Sequence, residues 1–397
     1  KVGKDYLNPG WTDYRYRIMY NTYDITDLLR PGDNGIGAML GAGWWSEHSG
    51  FLTGWQDQYG TRQSLLGKIV IEYADGTRET IVTNDSWKCY DRGPITFNGL
   101  QNGEEYDARM EMPGWTEADF DDKMWMPVEL VTAPKGKLVA QKNANMQIME
   151  IVKPVSITQQ GPATYILDMG QNMVGWVSMK VKGKAGDKVT LRFAELLKDD
   201  GSLYMDNLRG AKVTDTYTLK GDVEESWEPS FVYHGFRFVE ITNYPGVPDI
   251  KDFSGKVIYD EMPVTGTFHT SDSTINQIYK NAYWGIRGNY NGMPTDCPQR
   301  DERHGWLGDR ATGSLGESFI FDNNNLYSKW LDDIEDSQRA DGSIPDVAPA
   351  YWSIYTDNIT WPSAYIFIAN MLYQQYGNDV PIKSHYASMK KWLSYMK

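Results

Sequence analysis

The sequence predicts a multidomain protein of β and then α structure: two antiparallel β-sandwich modules followed by a helical region. Three observations carry this. The apolar pattern alternates with period two in short runs as far as residue 265 or so. Gly- and Asp-containing turns separate those runs at regular intervals. Near residue 270 the period changes to that of a helix and stays there.

Taken in order, Arg15-Tyr16-Arg17-Ile18-Met19-Tyr20-Asn21 alternates as a half-buried strand does. Gly67-Lys68-Ile69-Val70-Ile71-Glu72-Tyr73 repeats the pattern, and the turn Ala74-Asp75-Gly76-Thr77 after it is a hairpin signal. Trp176 to Lys182, Lys188 to Phe193 and Thr214 to Leu219 are further strands, with turns at Ala185-Gly186-Asp187 and Lys220-Gly221-Asp222. Thr132-Ala133-Pro134-Lys135-Gly136-Lys137 reads as a linker, dividing this β-rich part into modules over 1–135 and 136–267. Thr270-Ser271-Asp272-Ser273 is a capping signal, and Ile275, Ile278, Tyr279, Ala282 and Ile286 follow at helical spacing. Leu326, Trp330 and Ile334 outline a second helix, ended by Asp341-Gly342. Pro362 suits the first turn of a helix running through Ala364 to Gln375, with Gly377 as its stop. Tyr386, Met389, Trp392, Leu393 and Met396 mark one more.

Composition narrows the function. With 397 residues the chain is too long for one ordinary domain. The net charge of −14 sets it against phosphate backbones and argues against a nucleic-acid partner. Cys89 and Cys297 form neither a metal-ligand spacing nor a disulfide framework, and five scattered His residues argue against zinc. No apolar run is long enough to span a bilayer. The opening Lys1-Val2-Gly3-Lys4-Asp5-Tyr6 lacks the apolar core of a signal peptide, and the compartment stays open. The 15 Trp, 26 Tyr and 12 Phe mostly fill cores, but aromatic faces also serve as platforms for sugar rings. Trp44, Trp45 and Trp55 are candidates for weak sugar binding, with core packing the stronger expectation.

The densest polar stretch runs from Asp296 to Arg310. It interleaves Asp296, Asp301, Glu302 and Asp309 with Arg300, Arg303, Arg310, His304 and Trp306. Pro298, Gly305 and Gly308 rule out a regular helix across it, so it reads as a loop on a rigid scaffold. A solvated charged loop needs no buried-type residues, yet Cys297, Pro298 and Trp306 are woven in. A partly buried loop whose charges fix one another does need them. Glycoside hydrolysis requires one protonated carboxyl and a second carboxylate, and crowded carboxylates raise one another's proton affinity.

Asp296 to Asp309 resembles the signature of the bacterial α-L-rhamnosidases that invert at the anomeric carbon. Tyr23 to Asn34 with Gly43-Trp44-Trp45, and Gly103 to Arg109, are similar to that family's accessory sandwich. Asp168 to Trp176 and Tyr233 to Phe238 are similar to its next sandwich, in the family's order. The resemblance implies that residues 268–397 are the first part of an (α/α)6 catalytic barrel. It implies Glu302 as general acid, with Asp296, Arg300 and Asp309 on sugar hydroxyls and Trp306 and Trp361 as aromatic walls. It implies terminal α-L-rhamnosides as substrates and no cofactor or metal. The family's general base is a Glu far downstream, so the 397 residues are expected to be an inactive fragment. Glu317 and Glu335 are the local carboxylates weighed as substitutes for it. The chain departs from the family at Pro362-Ser363, where Gly-Asp is common, and at His304 and Arg310. The alternatives are another inverting glycosidase on the same barrel, with a different sugar, and a carbohydrate-binding protein without catalysis.

Overall fold

The computed structural model describes residues 1–46, 57–221 and 223–397; Trp55 and Asp222 lie outside them. Its centre is a ten-stranded, strongly curled sheet. The 19-residue strand Thr164–Lys182 organises it. The first half of that strand pairs antiparallel with Ser156–Gly161 and His234–Thr242. Its second half pairs with Phe253–Asp260 and Glu224–Trp227. The register breaks between Asp168 and Met173, where Gly170 has φ +71°, and this bulge turns one strand through two pairing environments. Lys188–Ala194 and Thr214–Thr218 extend the sheet on one side and Met146–Val152 on the other. Alternate residues of these strands, among them Leu167, Met179, Leu191, Phe193, Phe236 and Ile241, point inward and are fully buried.

The first part of the chain does not stand apart from this sheet. Ile95–Gly99 and Gly103–Asp107 form a hairpin whose second strand joins Thr214–Thr218 in parallel. Arg17–Tyr20 pairs in parallel with Lys137–Ala140, across the Pro/Gly stretch at 132–137. Lys68–Glu72 and Arg78–Val82 make a hairpin, with Gly76 at φ +84° in the turn, as Asp75-Gly76 predicts.

Six helices follow residue 268. The first, α1 (Ser273–Arg287), is capped by Asp272, whose carboxylate accepts from the Thr274 and Ile275 amides. Short helices α2 (Leu307–Ala311) and α3 (Ser314–Ser318) lead to α4 (Asn324–Asp336). The last of these ends at Asp336, earlier than Asp341-Gly342, because the Ser337 side chain closes back on the Asp333 carbonyl and the chain turns over residues 338–342. Helix α5 (Ala364–Tyr376) is stopped by Gly377 in the left-handed region, and α6 (Val380–Tyr395) returns against it. Pro362 lies in the turn that leads into α5 rather than in its first turn. Trp330, Leu331, Ile334, Tyr365, Ile368, Leu372 and Trp392 form the helical core, and Trp11 from the chain's start is buried with them. Among the described residues, no helix is long and apolar enough to cross a membrane.

Candidate active site

The connection from α1 to α2 holds the Asp296–Arg310 stretch. Sequence reasoning expects no helix across it, yet Leu307–Ala311 winds into the short helix α2 and places Asp309 in its first turn. Before that helix the loop closes on itself. The Asp296 amide donates to the His304 carbonyl at 2.9 Å, and the His304 amide returns a bond to Asp296 Oδ1 at 2.8 Å. Arg303 is the loop's internal strut. It is fully buried, at φ +65°, and its Nη1 donates to the carbonyls of Leu100 and Tyr233 at 2.6 and 2.7 Å. Its Nε and Nη2 donate to the carbonyls of Arg300 and Gln299, so one guanidinium satisfies four acceptors from three stretches of chain.

His304 points the other way, into a box of Trp11, Trp44, Tyr351 and Trp352, with ring centroids 5.5, 4.9, 5.4 and 3.9 Å away. Burial lowers its imidazole to about 3, so it is neutral packing material. Trp44 stacks on Trp11 at 4.2 Å, and Trp45 packs beside Tyr14 and Tyr59, so both are engaged inside the protein.

With the backbone fixed, the charged side chains converge. Glu302 is 7% exposed, and its Oε2 accepts from Arg300 Nε at 2.9 Å and Arg209 Nη2 at 2.6 Å. Arg300 also faces Asp296 at 3.8 Å. Burial, followed by the charge of Glu302, pushes the Asp296 carboxyl up to about 7. Burial also raises Asp309, with Glu302 adding to the shift. Trp306 is half-buried beside Trp352. The Trp361 ring lies on Gly308, where an added Cβ would come within 2.4 Å of it. Asp296, Arg300 and Glu302 thus meet directly, Asp309 lies within their electrostatic reach, and Trp361 covers the turn beside Asp309. Two surface grooves, of about 490 and 250 Å³, are lined by other residues and contain none of these.

Sequence reasoning missed Arg209. It follows the turn Asp206–Leu208 in the sheet region, at φ +55°, and pairs through Nε with Asp301 at 2.9 Å as well as with Glu302. The Gly210 amide donates to the other Asp301 oxygen at 3.0 Å. No local pattern marks Arg209, since its partner Glu302 lies 93 positions away.

Asp296, Cys297 and Glu302 bring ligand-type atoms within 4.8 Å of one another. They do not suit a cation. Two guanidiniums already occupy Glu302, and burial raises the Cys297 thiol so that it stays protonated. Glu317 and Glu335 are committed elsewhere. Glu317 accepts from Arg310 Nη1, Tyr290 and Tyr327 at 2.7, 2.7 and 2.6 Å. Glu335 pairs with His385 Nδ1 at 2.9 Å. Ser363 donates its hydroxyl to the Thr360 carbonyl at 2.7 Å.

Comparison with known proteins gives one consistent set of relatives. Three family models match in succession: the α-L-rhamnosidase N-terminal domain over residues 1–150, the bacterial α-L-rhamnosidase concanavalin-like domain over 158–259, and the bacterial α-L-rhamnosidase 6 hairpin glycosidase domain over 263–397. An α-L-rhamnosidase of Streptomyces avermitilis is 41% identical over all of this chain and 38% of its own length. One from Formosa agariphila is 36% identical over 99% of this chain and 43% of its own. The crystal structure of the Streptomyces avermitilis α-L-rhamnosidase complexed with L-rhamnose superposes with a TM-score of 0.94 at 40% identity, covering 99% of this chain and 38% of that one. The α-L-rhamnosidase from Dictyoglumus thermophilum gives 0.91 at 40% identity, over 99% and 44%. The chain therefore spans well under half the length of these relatives.

Proposed function

Since the chain belongs to the bacterial α-L-rhamnosidase family, we propose that it carries the acid half of a site at which the whole protein hydrolyses terminal α-L-rhamnosides by single displacement. The observation that supports this most is the buried Glu302, set at the convergence of Arg300, Arg209, Asp296 and Asp309 in a loop braced from within. In this reading Glu302 gives its proton to the glycosidic oxygen as the bond to the anomeric carbon breaks. Water attacks the opposite face and yields its proton to a general base, inverting the centre. Asp296, Arg300 and Asp309 hold sugar hydroxyls, and Trp306 and Trp361 lie against the ring. No cofactor is needed.

In this reading the general base is neither Glu317 nor Glu335. An inverting pair stands about 6.5–9.5 Å apart across the bond. Glu317, bonded three times inside the core, and Glu335, paired with His385, are not placed to act on a water there. We assign residues 1–135 and 136–267 to two successive β-rich regions that share the central sheet and support the site, and 268–397 to the first part of an (α/α)6 barrel. Rhamnose-containing glycosides and oligosaccharides are the expected partners. The 397 residues alone should turn over nothing.

Glu302→Gln in the whole protein tests the assignment. Turnover of rhamnosides with poor leaving groups should fall by about 10²–10⁴-fold, the usual worth of general-acid assistance, while activated aryl rhamnosides should suffer much less. An equal loss on both would remove Glu302 from the role of proton donor.

A further inference from the structure

Glu302 is held from two directions. Arg300 is its neighbour in the loop, whereas Arg209 comes from the sheet region, 93 positions earlier. Both guanidiniums contact the same oxygen, Oε2. Neither of these two contacts engages Oε1. Arg209 is itself fixed. Its Nε pairs with Asp301, and the next amide, Gly210, binds the second oxygen of Asp301. Asp301 is 3% exposed, and its carboxylate is taken up by Arg209 and the Gly210 amide. The left-handed backbone at Arg209, φ +55°, is uncommon for a residue with a side chain and is held by these contacts on both sides. Among the described residues, the charged and titratable groups that face Glu302 are Arg209, Arg300, Asp296, Cys297 and Asp309, with Asp301 behind Arg209. Each cation is shared with a second anion, Arg209 with Asp301 and Arg300 with Asp296.

We propose that Arg209 is a positioning residue that seats the Glu302 carboxyl through Oε2, so that Oε1 presents its proton to the leaving oxygen. The proposal rests on the reading of Glu302 as the general acid. The β region is then part of the catalytic apparatus, through a group that acts on Glu302.

The experiment compares Arg209→Ala, Arg209→Lys, Glu302→Gln and the Arg209→Ala/Glu302→Gln double variant in the whole protein, on a nitrophenyl and an alkyl α-L-rhamnoside. Arg209→Ala should lower kcat on the alkyl substrate by at least about tenfold, part of the 10²–10⁴ that acid catalysis supplies, and spare the nitrophenyl substrate. The double variant should be no slower than Glu302→Gln alone, because both act through one proton. Guanidinium added to Arg209→Ala should restore part of the alkyl activity. Arg209→Lys is the second variant should the alanine form fail to fold. A lysine cannot bridge Asp301 and Glu302 as a fork does, so it should show the same split at smaller size. Equal losses on both substrates, or losses that multiply with Glu302→Gln, would make Arg209 a merely structural residue and overturn the proposal alone. Glu302→Gln losing equally on both substrates would overturn the acid assignment and this proposal with it.

Discussion

At the scale of single residues, Gly308 is the position where the least change should do the most. Its missing side chain makes room for the Trp361 ring, and a Cβ would meet that ring at 2.4 Å. Gly308→Ala must push Trp361 aside, an overpacking that costs about 1–3 kcal/mol. If Trp361 walls the sugar, calorimetry on the whole protein should show L-rhamnose binding weakened about tenfold or more, since 1.4 kcal/mol is a factor of ten. Binding that survives intact would detach Trp361 from the site. Glu317→Gln tests the opposite role. It leaves the buried Arg310 guanidinium without its anion, and breaking such a pair costs about 3–5 kcal/mol. Denaturant unfolding of the 397-residue chain should show that loss. The convergence at the candidate site was legible in the sequence to the extent that it is contiguous. Asp296, Arg300 and Glu302 stand within one loop and Asp309 in the short helix that follows it, and their crowding is visible in one dimension. Arg209 was not legible, because a fold that pairs distant strands places it there and no neighbour in sequence announces it.

At the scale of elements, α4 and α6 are joined by charge. His385 on α6 lies between Asp332 and Glu335 of α4, at 3.2 and 2.9 Å. Burial alone would lower its imidazole, but hydrogen bonds to Asp332 and Glu335 outweigh that and raise it to about 9. The unfolded value is about 6.5. The stabilisation is therefore fully present below about pH 6.5 and is lost as pH rises through about 9. The stability gap between the native chain and His385→Gln should be widest near pH 6 and close by about pH 10; a gap independent of pH would show that the imidazole charge is not what joins the helices. The same helix holds the chain's start. Arg17 reaches Asp332, Asp333 and Asp336 from the strand Arg17–Tyr20. Helix existence was readable from periodicity, as at Leu326, Trp330 and Ile334, all buried as that spacing requires. Helix ends were less so, because α4 stops where a side chain closes on the backbone, before any glycine.

At the scale of the whole molecule, the β-then-α order was legible because each class writes its own period into the sequence. The pairing between segments was not. The hairpin Ile95–Gly99 and Gly103–Asp107 joins the central sheet in parallel, and Glu104 is buried there against the Ser230 and Phe231 amides. Residues 1–135 expressed alone would expose that edge and leave Glu104 without its donors. They should show no cooperative melt by circular dichroism, and a sharp transition would show that they carry a core of their own. Arg303 extends this interdependence to the loop, taking the carbonyls of Leu100 and Tyr233 in one buried grip. Its consequence is genealogical. The guanidinium stays satisfied only while all three stretches of backbone keep their places, so a segment exchanged with a divergent homologue should be tolerated only where it preserves the positions of the Leu100 and Tyr233 carbonyls.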